Sequence, residues 1–272
     1  MKLLGVLGNP IEHSRSPEIH DAFANISRID IEYRKVLVDE GKFEDVARAF
    51  LSEGAHGFNI TVPNKQDAYE FADELSHDAR RSGAVNTIQR MPDNRVVGHN
   101  TDGAGLVADI TLNLNWTLKE KKILIIGAGG AVKGVLGNLL ETDPIGIDVV
   151  NRTHQKAVDI VEWINDGRLE AKHFDELDSG YDIIISGSSA GLKSNSLAPA
   201  LPDQIVNEES RCYDMIYGSQ LTPFLTWCRA RNCREYSDGL GMLVEQAALA
   251  FNIWFERQVE TGDVIRRLRG LL

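Results

Sequence analysis

Short apolar runs alternate with segments of helical period along almost the whole chain, and this alternation predicts an α/β fold built on parallel sheets. Early in the chain, Lys2–Gly8, Ile31–Val38, Gly57–Thr61, Ala84–Arg90 and Arg95–His99 read as strands. Between them, Pro17–Asn25, Phe43–Glu53 and Lys65–Glu74 carry helical spacing. Met91-Pro-Asp-Asn94 reads as a turn between adjacent strands, because proline presets the backbone at the second turn position. The amphipathic stretch Asp102–Leu114 leads into a second set of elements. Its strands are expected at Ile123–Ile126, Ile147–Val150, Asp182–Ile185, Arg211–Met215 and Arg234–Tyr236, its helices at Ala131–Leu140 and Gln155–Asn165. A long apolar-periodic helix, Leu240–Phe255, and then Asp263–Leu271 are expected to return to the first domain. Residues 1–101 with 241–272 thus form one expected domain and 102–240 the other. Ser186–Pro202, rich in Ser, Gly and Ala, reads as a long loop facing an active site.

Composition narrows the class without naming a function. The 272 residues, 43% hydrophobic and 25% charged, suit one large or two ordinary globular domains with a full core. A net charge of −11 argues against nucleic acid, whose phosphates need clustered Lys and Arg. Any anion must instead be held by local donors such as helix amino termini, serine hydroxyls and a few placed cations. The cysteines, Cys212, Cys228 and Cys233, form no Cys-x-x-Cys pair, so reduced thiols are expected. The histidines have no zinc-binding spacing, and no metal is expected. The apolar run Leu3–Leu7 is too short for a signal-peptide core, and no run reaches the roughly 18 residues of a membrane span. A cytoplasmic location, as monomer or homodimer, is the expectation.

Candidate chemistry begins at Gly127-Ala128-Gly129-Gly130-Ala131-Val132, which directly follows a strand and opens a helix. That is the setting of a dinucleotide loop: the first glycine permits a tight turn, and the second lets backbone amides approach a pyrophosphate at the helix amino terminus. Val132 departs from the expected Gly or Ala, and the plain alternative is a tight turn with no ligand. An NAD site usually places an acid about 20 residues on, at the end of the next strand. Here that strand ends in Asn151-Arg152-Thr153, with Lys156 one helical turn after Arg152 and no acid. Arg152 and Lys156 can clamp a 2′-phosphate while Asn151 and Thr153 donate to it. Each charge-assisted bond is worth roughly 1.5–3 kcal/mol, which favours NADP by about tenfold or more. The competing reading is an ordinary solvated helix start.

A second constellation lies in the first domain. Ser14 and Ser16 sit where the first strand meets the first helix, beside Pro17. Ser16 reads either as a helix cap with proline next, or with Ser14 as a carboxylate-binding pair. Lys65, after Val-Pro-Asn, is either a solvated first-turn residue or a proton carrier. Asp102, in Asn-Thr-Asp-Gly, either caps the following helix or partners that lysine. Asn86 is either a strand-end turn residue or a ligand donor. It is their co-occurrence beside a nucleotide loop that points to moving a proton while a nicotinamide exchanges a hydride.

Together these segments resemble the shikimate dehydrogenase family. The shared motifs are Gly8-Asn-Pro-Ile with His-Ser-Arg-Ser-Pro, Asn59-Ile-Thr-Val-Pro-Asn-Lys65, Gly83-Ala-Val-Asn-Thr87 and Gly98-His-Asn-Thr-Asp-Gly103. They continue in family order with the Gly127 loop, Asn151-Arg-Thr153, Asp214-Met-Ile-Tyr217, Thr222-Pro-Phe-Leu225 and Asp238-Gly-Leu-Gly-Met-Leu-Val-Glu-Gln246. The resemblance implies an N-terminal α/β/α substrate-binding domain, a Rossmann-type NADP-binding domain and C-terminal helices returning to the first. It implies an NADP(H)-dependent oxidoreductase interconverting shikimate and 3-dehydroshikimate on the route to aromatic amino acids. Ser14 and Ser16, with Tyr217 nearby, would hold the substrate carboxylate, and Thr61, Lys65, Asn86, Asp102 and Gln246 the ring hydroxyls. Lys65 would protonate the developing alkoxide with Asp102 orienting it. Asn151, Arg152, Thr153 and Lys156 would take the 2′-phosphate, and Met215, Gly239 and Met242 would lie near the nicotinamide. One departure is Ser186-Gly-Ser-Ser-Ala-Gly-Leu192, where the family more often has Asn-Ala-Thr-Ser-x-Gly-Met. The competing readings are a quinate/shikimate dehydrogenase using NAD, a non-catalytic NADPH-binding protein, and a folate-linked dehydrogenase of similar layout.

Overall fold

The computed structural model describes residues 1–188 and 201–272. Most of the expected Ser186–Pro202 loop, including the divergent residues after 188, therefore lies outside the described residues. The chain divides into two compact units, Met1–Gly105 with Val244–Arg267, and Leu106–Leu243 with Leu268–Leu272.

The first unit holds a six-stranded sheet in the order β2-β1-β3-β5-β6-β4. The strands are β1 (Lys2–Gly8), β2 (Ile31–Leu37), β3 (Gly57–Ile60), β4 (Glu74–Leu75), β5 (Thr87–Arg90) and β6 (Val96–His99). The sheet is mixed rather than parallel, because β5 runs antiparallel to both β3 and β6. The tight turn at Met91–Asn94 imposes this: so short a connection can only return an adjacent strand in the opposite direction. Helices α1 (Ser16–Ser27) and α2 (Phe43–Ser52) follow β1 and β2, and α3 (Lys65–Phe71) follows β3. Side chains alternate across the strands. Leu7, Phe58, Ile60 and Ile88 pack with Phe43, Ala47 and Phe50 of α2. Leu4, of opposite parity to Leu7, packs instead with Ala250 and Trp254 of α9 (Leu240–Phe255).

Three first-unit features differ from the expected elements. Helix α3 stops at Phe71, short of Glu74, because Glu74–Leu75 leaves to pair with β6. A short helix, α4 (His77–Ser82), follows it, capped by Ser76 accepting from the Ala79 N–H and closed by Gly83 in the left-handed conformation. Helix α1 begins at Ser16 itself, with Arg15 in the cap position and no side-chain cap. Ser16 is therefore not the cap; its N–H is taken by the Ser14 hydroxyl at 3.3 Å.

The second unit is a parallel six-stranded sheet in the order β12-β11-β10-β7-β8-β9. Its strands are β7 (Lys122–Ile126), β8 (Gly146–Val150), β9 (Leu169–Lys172), β10 (Ile183–Ser186), β11 (Arg211–Asp214) and β12 (Glu235–Asp238). Both faces are covered, as all-parallel sheets require. Ile123, Ile125, Ile183 and Ile185 pack with Val132, Val135, Leu136 and Leu139 of α6 (Gly130–Glu141) and with Ala157 and Ile160 of α7 (His154–Ile164). The alternate residues Leu124, Ile126, Ile184 and Cys212 pack with Phe224, Leu225 and Cys228 of α8 (Pro223–Arg229). Strand order reverses between β7 and β10, the place where doubly wound sheets bind dinucleotides.

Two second-unit elements were not expected from the sequence. Edge strand β9 buries only Leu169 and so lacks an apolar run. Helix α8 is short, although Thr222 caps it at the Leu225 N–H and proline follows. The break between units falls inside α5 (Asp102–Ala108) and α9, since Gly105 lies against the Gln246 backbone in the first unit. The C-terminal helix α10 (Gly262–Arg269) groups mainly with the first unit. The closing residues Leu268–Leu272, expected in the first domain, group with the second, where Arg269 donates to Asp238 through both terminal nitrogens. No helix among the described residues is long and apolar enough to cross a membrane.

Gly57 is the most tightly enclosed glycine of the first unit. The Trp254 indole donates to the Ile88 carbonyl at 2.9 Å, and a Cβ on Gly57 would lie 2.2 Å from the indole nitrogen and 2.5 Å from that carbonyl oxygen. Gly57→Ala is therefore expected to destabilise the unit by roughly 1–3 kcal/mol. Urea unfolding should show a lower midpoint; an unchanged midpoint would contradict the packing described.

Candidate active site

Lys65 is the first residue of α3 and Asp102 the first of α5, so each follows the end of a strand. Their side chains meet: Lys65 Nζ donates to Asp102 Oδ2 at 2.5 Å, with the lysine 29% and the aspartate 11% exposed. Asp102 does not cap its own helix through its side chain. Its other oxygen, Oδ1, accepts from Asn86 Nδ2 at 2.8 Å, and its N–H is held by Asn100 Oδ1 at 3.0 Å. Asn100 is fixed in turn by donating to the Ser82 hydroxyl and the Ala84 carbonyl. Gln246, from α9, accepts from Asn86 Nδ2 at 3.4 Å and from the Thr101 hydroxyl at 3.5 Å. Four of the expected ring-hydroxyl residues, Lys65, Asn86, Asp102 and Gln246, are thus assembled in one unit. Thr61 follows β3, with its N–H on the Leu7 carbonyl and its own carbonyl accepting from Asn64.

The serines lie at the end of β1. Ser14 is half-buried and Ser16 buried, and the Ser14 hydroxyl donates to that of Ser16 at 3.2 Å. Behind them is a polar cluster that the sequence reading did not single out. Tyr33 OH donates to Asn59 Oδ1 at 2.7 Å, and His20 Nε2 lies 3.1 Å from the same oxygen. The His20 ring stacks on Tyr33 at 4.5 Å and 10°. Burial drives the His20 pKa down from 6.5 to about 3, against the smaller opposing effect of its bond to Asn59. The ring is therefore neutral and carries its proton on Nε2, since a carbonyl oxygen can only accept. The available signal was Asn59 itself, a polar residue inside an otherwise apolar strand.

In the second unit, Gly127 has φ +117°, a conformation open to glycine, and its N–H bonds the Val150 carbonyl at 2.7 Å. Gly129, Gly130 and Ala131 are exposed and Ala128 half-buried. A Cβ on Gly129 or Gly130 would meet nothing within 4 Å. Protein packing does not demand glycine there, and the space at the amino terminus of α6 is open. The departure at Val132 has a packing explanation: a Cβ on Gly187 would lie 2.4 Å from Val132 Cγ2. The larger residue at 132 fits because the residue facing it is glycine.

Asn151 is half-buried after β8, while Arg152, Thr153 and Lys156 are exposed around the start of α7. Asn151 Nδ2 donates to the Thr153 carbonyl at 2.8 Å, which shapes the turn. Neither Arg152 nor Lys156 has an ion-pair partner among the described residues. Two unpaired cations at a helix amino terminus, with no acid beside them, fit a phosphate better than a ribose diol. Met215 and Gly239 abut, since a Cβ on Gly239 would lie 2.4 Å from the Met215 carbonyl oxygen. Met242 is half-buried against the same core. Burial pushes Asp214 up to about 6, partly offset by the Thr222 hydroxyl and the Ile216 N–H. Tyr217 lies in this second unit, after β11, and not among the first unit's assembled residues.

A dinucleotide loop at the switch point of a doubly wound sheet, with a lysine–carboxylate pair on a separate unit, defines a dinucleotide-dependent dehydrogenase. Residues 6–88 match the shikimate dehydrogenase substrate binding domain, 108–196 the shikimate/quinate 5-dehydrogenase family and 239–269 the shikimate 5′-dehydrogenase C-terminal domain. The shikimate dehydrogenase (NADP(+)) of Cellvibrio japonicus is 45% identical over 272 residues, covering 99% of this chain and 98% of that protein. Among solved structures, an Ael1 enzyme from Pseudomonas putida is 38% identical with a TM-score of 0.93, over 98% of each chain. The shikimate 5-dehydrogenase of Thermus thermophilus, in complex with NADP(H) and shikimate, is 29% identical with a TM-score of 0.90, over 100% of each. The chain belongs to the shikimate dehydrogenase family.

The His20 environment makes a pH prediction. Unfolded, this histidine takes up a proton below about 6.5, whereas folded it does so only near 3. Its contribution to stability is thus present above pH 6.5 and lost progressively as pH falls towards 3. Urea midpoints measured across that window should fall with acidity, and the fall should be shallower in His20→Phe. An equally steep decline in the variant would rule out this assignment.

Proposed function

We propose that this protein interconverts 3-dehydroshikimate and shikimate with NADP(H), in the pathway to aromatic amino acids. The observation that carries the reading is the Lys65–Asp102 pair, held by Asn86 and joined by Gln246. NADPH, when bound, supplies the hydride. Lys65, as the ammonium, gives its proton to the oxygen that becomes the new hydroxyl; in the oxidising direction the amine takes that proton back. Asp102 aims the lysine and offsets its charge, while Asn86 fixes the second carboxylate oxygen so that the pair cannot rotate. The partial exposure of Lys65 lets water restore its proton between turnovers. Ser14 and Ser16 hold the substrate carboxylate, and Thr61, Asn86 and Gln246 donate to or accept from the ring hydroxyls. Gly127 to Ala131 seat the pyrophosphate, Asn151, Arg152, Thr153 and Lys156 hold the 2′-phosphate, and Met215, Gly239 and Met242 border the nicotinamide. The domain roles are substrate binding for the first unit and cofactor binding for the second.

The deciding measurement is a steady-state matrix of shikimate and quinate against NADP and NAD, read at the absorbance of the reduced cofactor. Shikimate with NADP should give the highest kcat/KM. Preference for quinate with NAD would favour the broader dehydrogenase, and no turnover at all a non-catalytic binder. Lys65→Ala should lose roughly 10²–10⁴-fold in kcat with NADP affinity unchanged. Near-normal turnover in that variant would refute the proton-carrying role. Arg152→Ala should weaken NADP binding by about tenfold while leaving NAD unaffected. Equal losses for both cofactors would remove the 2′-phosphate assignment.

A further inference from the structure

Behind the Lys65–Asp102 pair, hydrogen-bonded polar side chains continue through Asn86, Thr87 and Asn59 to Tyr33, and their proton directions are determined from one end. Asn86 Nδ2, which can only donate, gives a hydrogen bond to Asp102 Oδ1 at 2.8 Å. The amide oxygen of Asn86 therefore accepts, from the Thr101 N–H at 3.0 Å and from the Thr87 hydroxyl at 2.9 Å. With its single proton placed there, Thr87 Oγ1 accepts from Asn59 Nδ2 at 3.0 Å. Asn59 Oδ1 is then left to accept from Tyr33 OH at 2.7 Å and His20 Nε2 at 3.1 Å. Beside Tyr33, the Ser14 hydroxyl donates to that of Ser16 at 3.2 Å. A hydroxyl has one proton and an amide one donating end, so each orientation dictates the next.

The fold does not require these groups. Thr87 is fully buried between Val85 and Ile88, both also fully buried, in a strand where valine has the same shape. Asn59 is 5% exposed in a strand otherwise of Gly, Phe and Ile. Burying an amide or hydroxyl costs free energy that its bonds at best offset, so an apolar residue would serve packing as well. His20 explains how the far end stays in place. Its ring is stacked on Tyr33 and tilted against Trp254 at 5.2 Å, and its Nδ1 has no hydrogen-bond partner. Only Nε2 is engaged, and the stacking keeps it pointed at Asn59.

We infer that Tyr33, Asn59 and Thr87 are positioning residues, a one-way hydrogen-bond relay that runs from Tyr33 to the orientation of Asn86 and thereby to the Lys65–Asp102 pair. The inference rests on the reading that Lys65 and Asp102 handle the proton. Its consequence is that removing one relay proton, outside the Lys65–Asp102 pair itself, slows turnover without weakening cofactor binding.

The test compares Thr87→Val with Thr87→Ser, alongside Tyr33→Phe and Lys65→Ala, in the full-length protein. Thr87→Val keeps shape and removes the hydroxyl, so kcat for shikimate oxidation should fall by about tenfold with the NADP dissociation constant unchanged. Thr87→Ser restores the hydroxyl and should return kcat to within about twofold of the parent. Tyr33→Phe should lower kcat in the same sense, and it decides the matter if Thr87→Val does not fold. Parental kcat in Thr87→Val and Tyr33→Phe, with Lys65→Ala impaired, would overturn the relay and leave the site reading standing. A serine variant as slow as the valine variant would also overturn it, because packing and not the hydroxyl would then be responsible. Parental turnover in Lys65→Ala would instead sink the site reading itself.

Discussion

The ion pair between Lys65 and Asp102 exists because a mostly buried carboxylate must have its charge answered. Asp102 lies at the start of α5 with little water around it, and an uncompensated carboxylate there would be costly. Lys65 answers one oxygen and Asn86 the other, while Asn100 holds the aspartate backbone. Each of these groups is placed by a different strand end, so the site is stable only when β3, β5 and β6 are in register. The antiparallel course of β5 is what brings Asn86 beside Thr101 and Asp102, since its pairing sets Thr87 opposite His99.

Packing around the nucleotide loop follows a similar give and take. Val132 is larger than a dinucleotide fingerprint usually allows, and Gly187 is correspondingly small. Helix α6 can thus approach the sheet with the bulk transferred from one partner to the other. The exposed glycines at 129 and 130 have a different origin, because no protein atom crowds them. Protein packing does not account for their smallness, which suits the close approach of a pyrophosphate.

Much of the fold was legible because long periodic segments carry their own signal. The strands β1, β3, β7 and β8 bury continuous runs and the helices α2, α6 and α7 helically spaced apolar residues, and those patterns survive in the linear chain. The elements that went unseen, β4, α4, β9 and α8, are short or bury few side chains. Strands β4 and β9 are held by pairing partners from elsewhere in the chain, which a local pattern cannot report, while α4 and α8 carry local caps but are too short to show a helical period. The cap reading of Ser16 failed for a related reason: its own N–H is claimed by Ser14, and its helix starts one residue sooner.

The candidate site divides along the same line. Residue identity and order were enough to select Lys65, Asn86, Asp102 and Gln246, and to notice cations without an acid after β8, because the chemistry of those groups is intrinsic to their side chains. His20, Tyr33 and Thr87 carried no such mark, being common residues in ordinary strands and helices, and Asn59 was marked only as a polar residue in an apolar strand. Only the folded chain assigns their proton directions, since a hydroxyl or amide orients by its neighbours, and those neighbours come from strands and helices far apart in sequence. The amino-acid order alone determined which groups could react; three-dimensional packing decided which were held still, because a hydrogen bond depends on distance and angle and not on position along a chain.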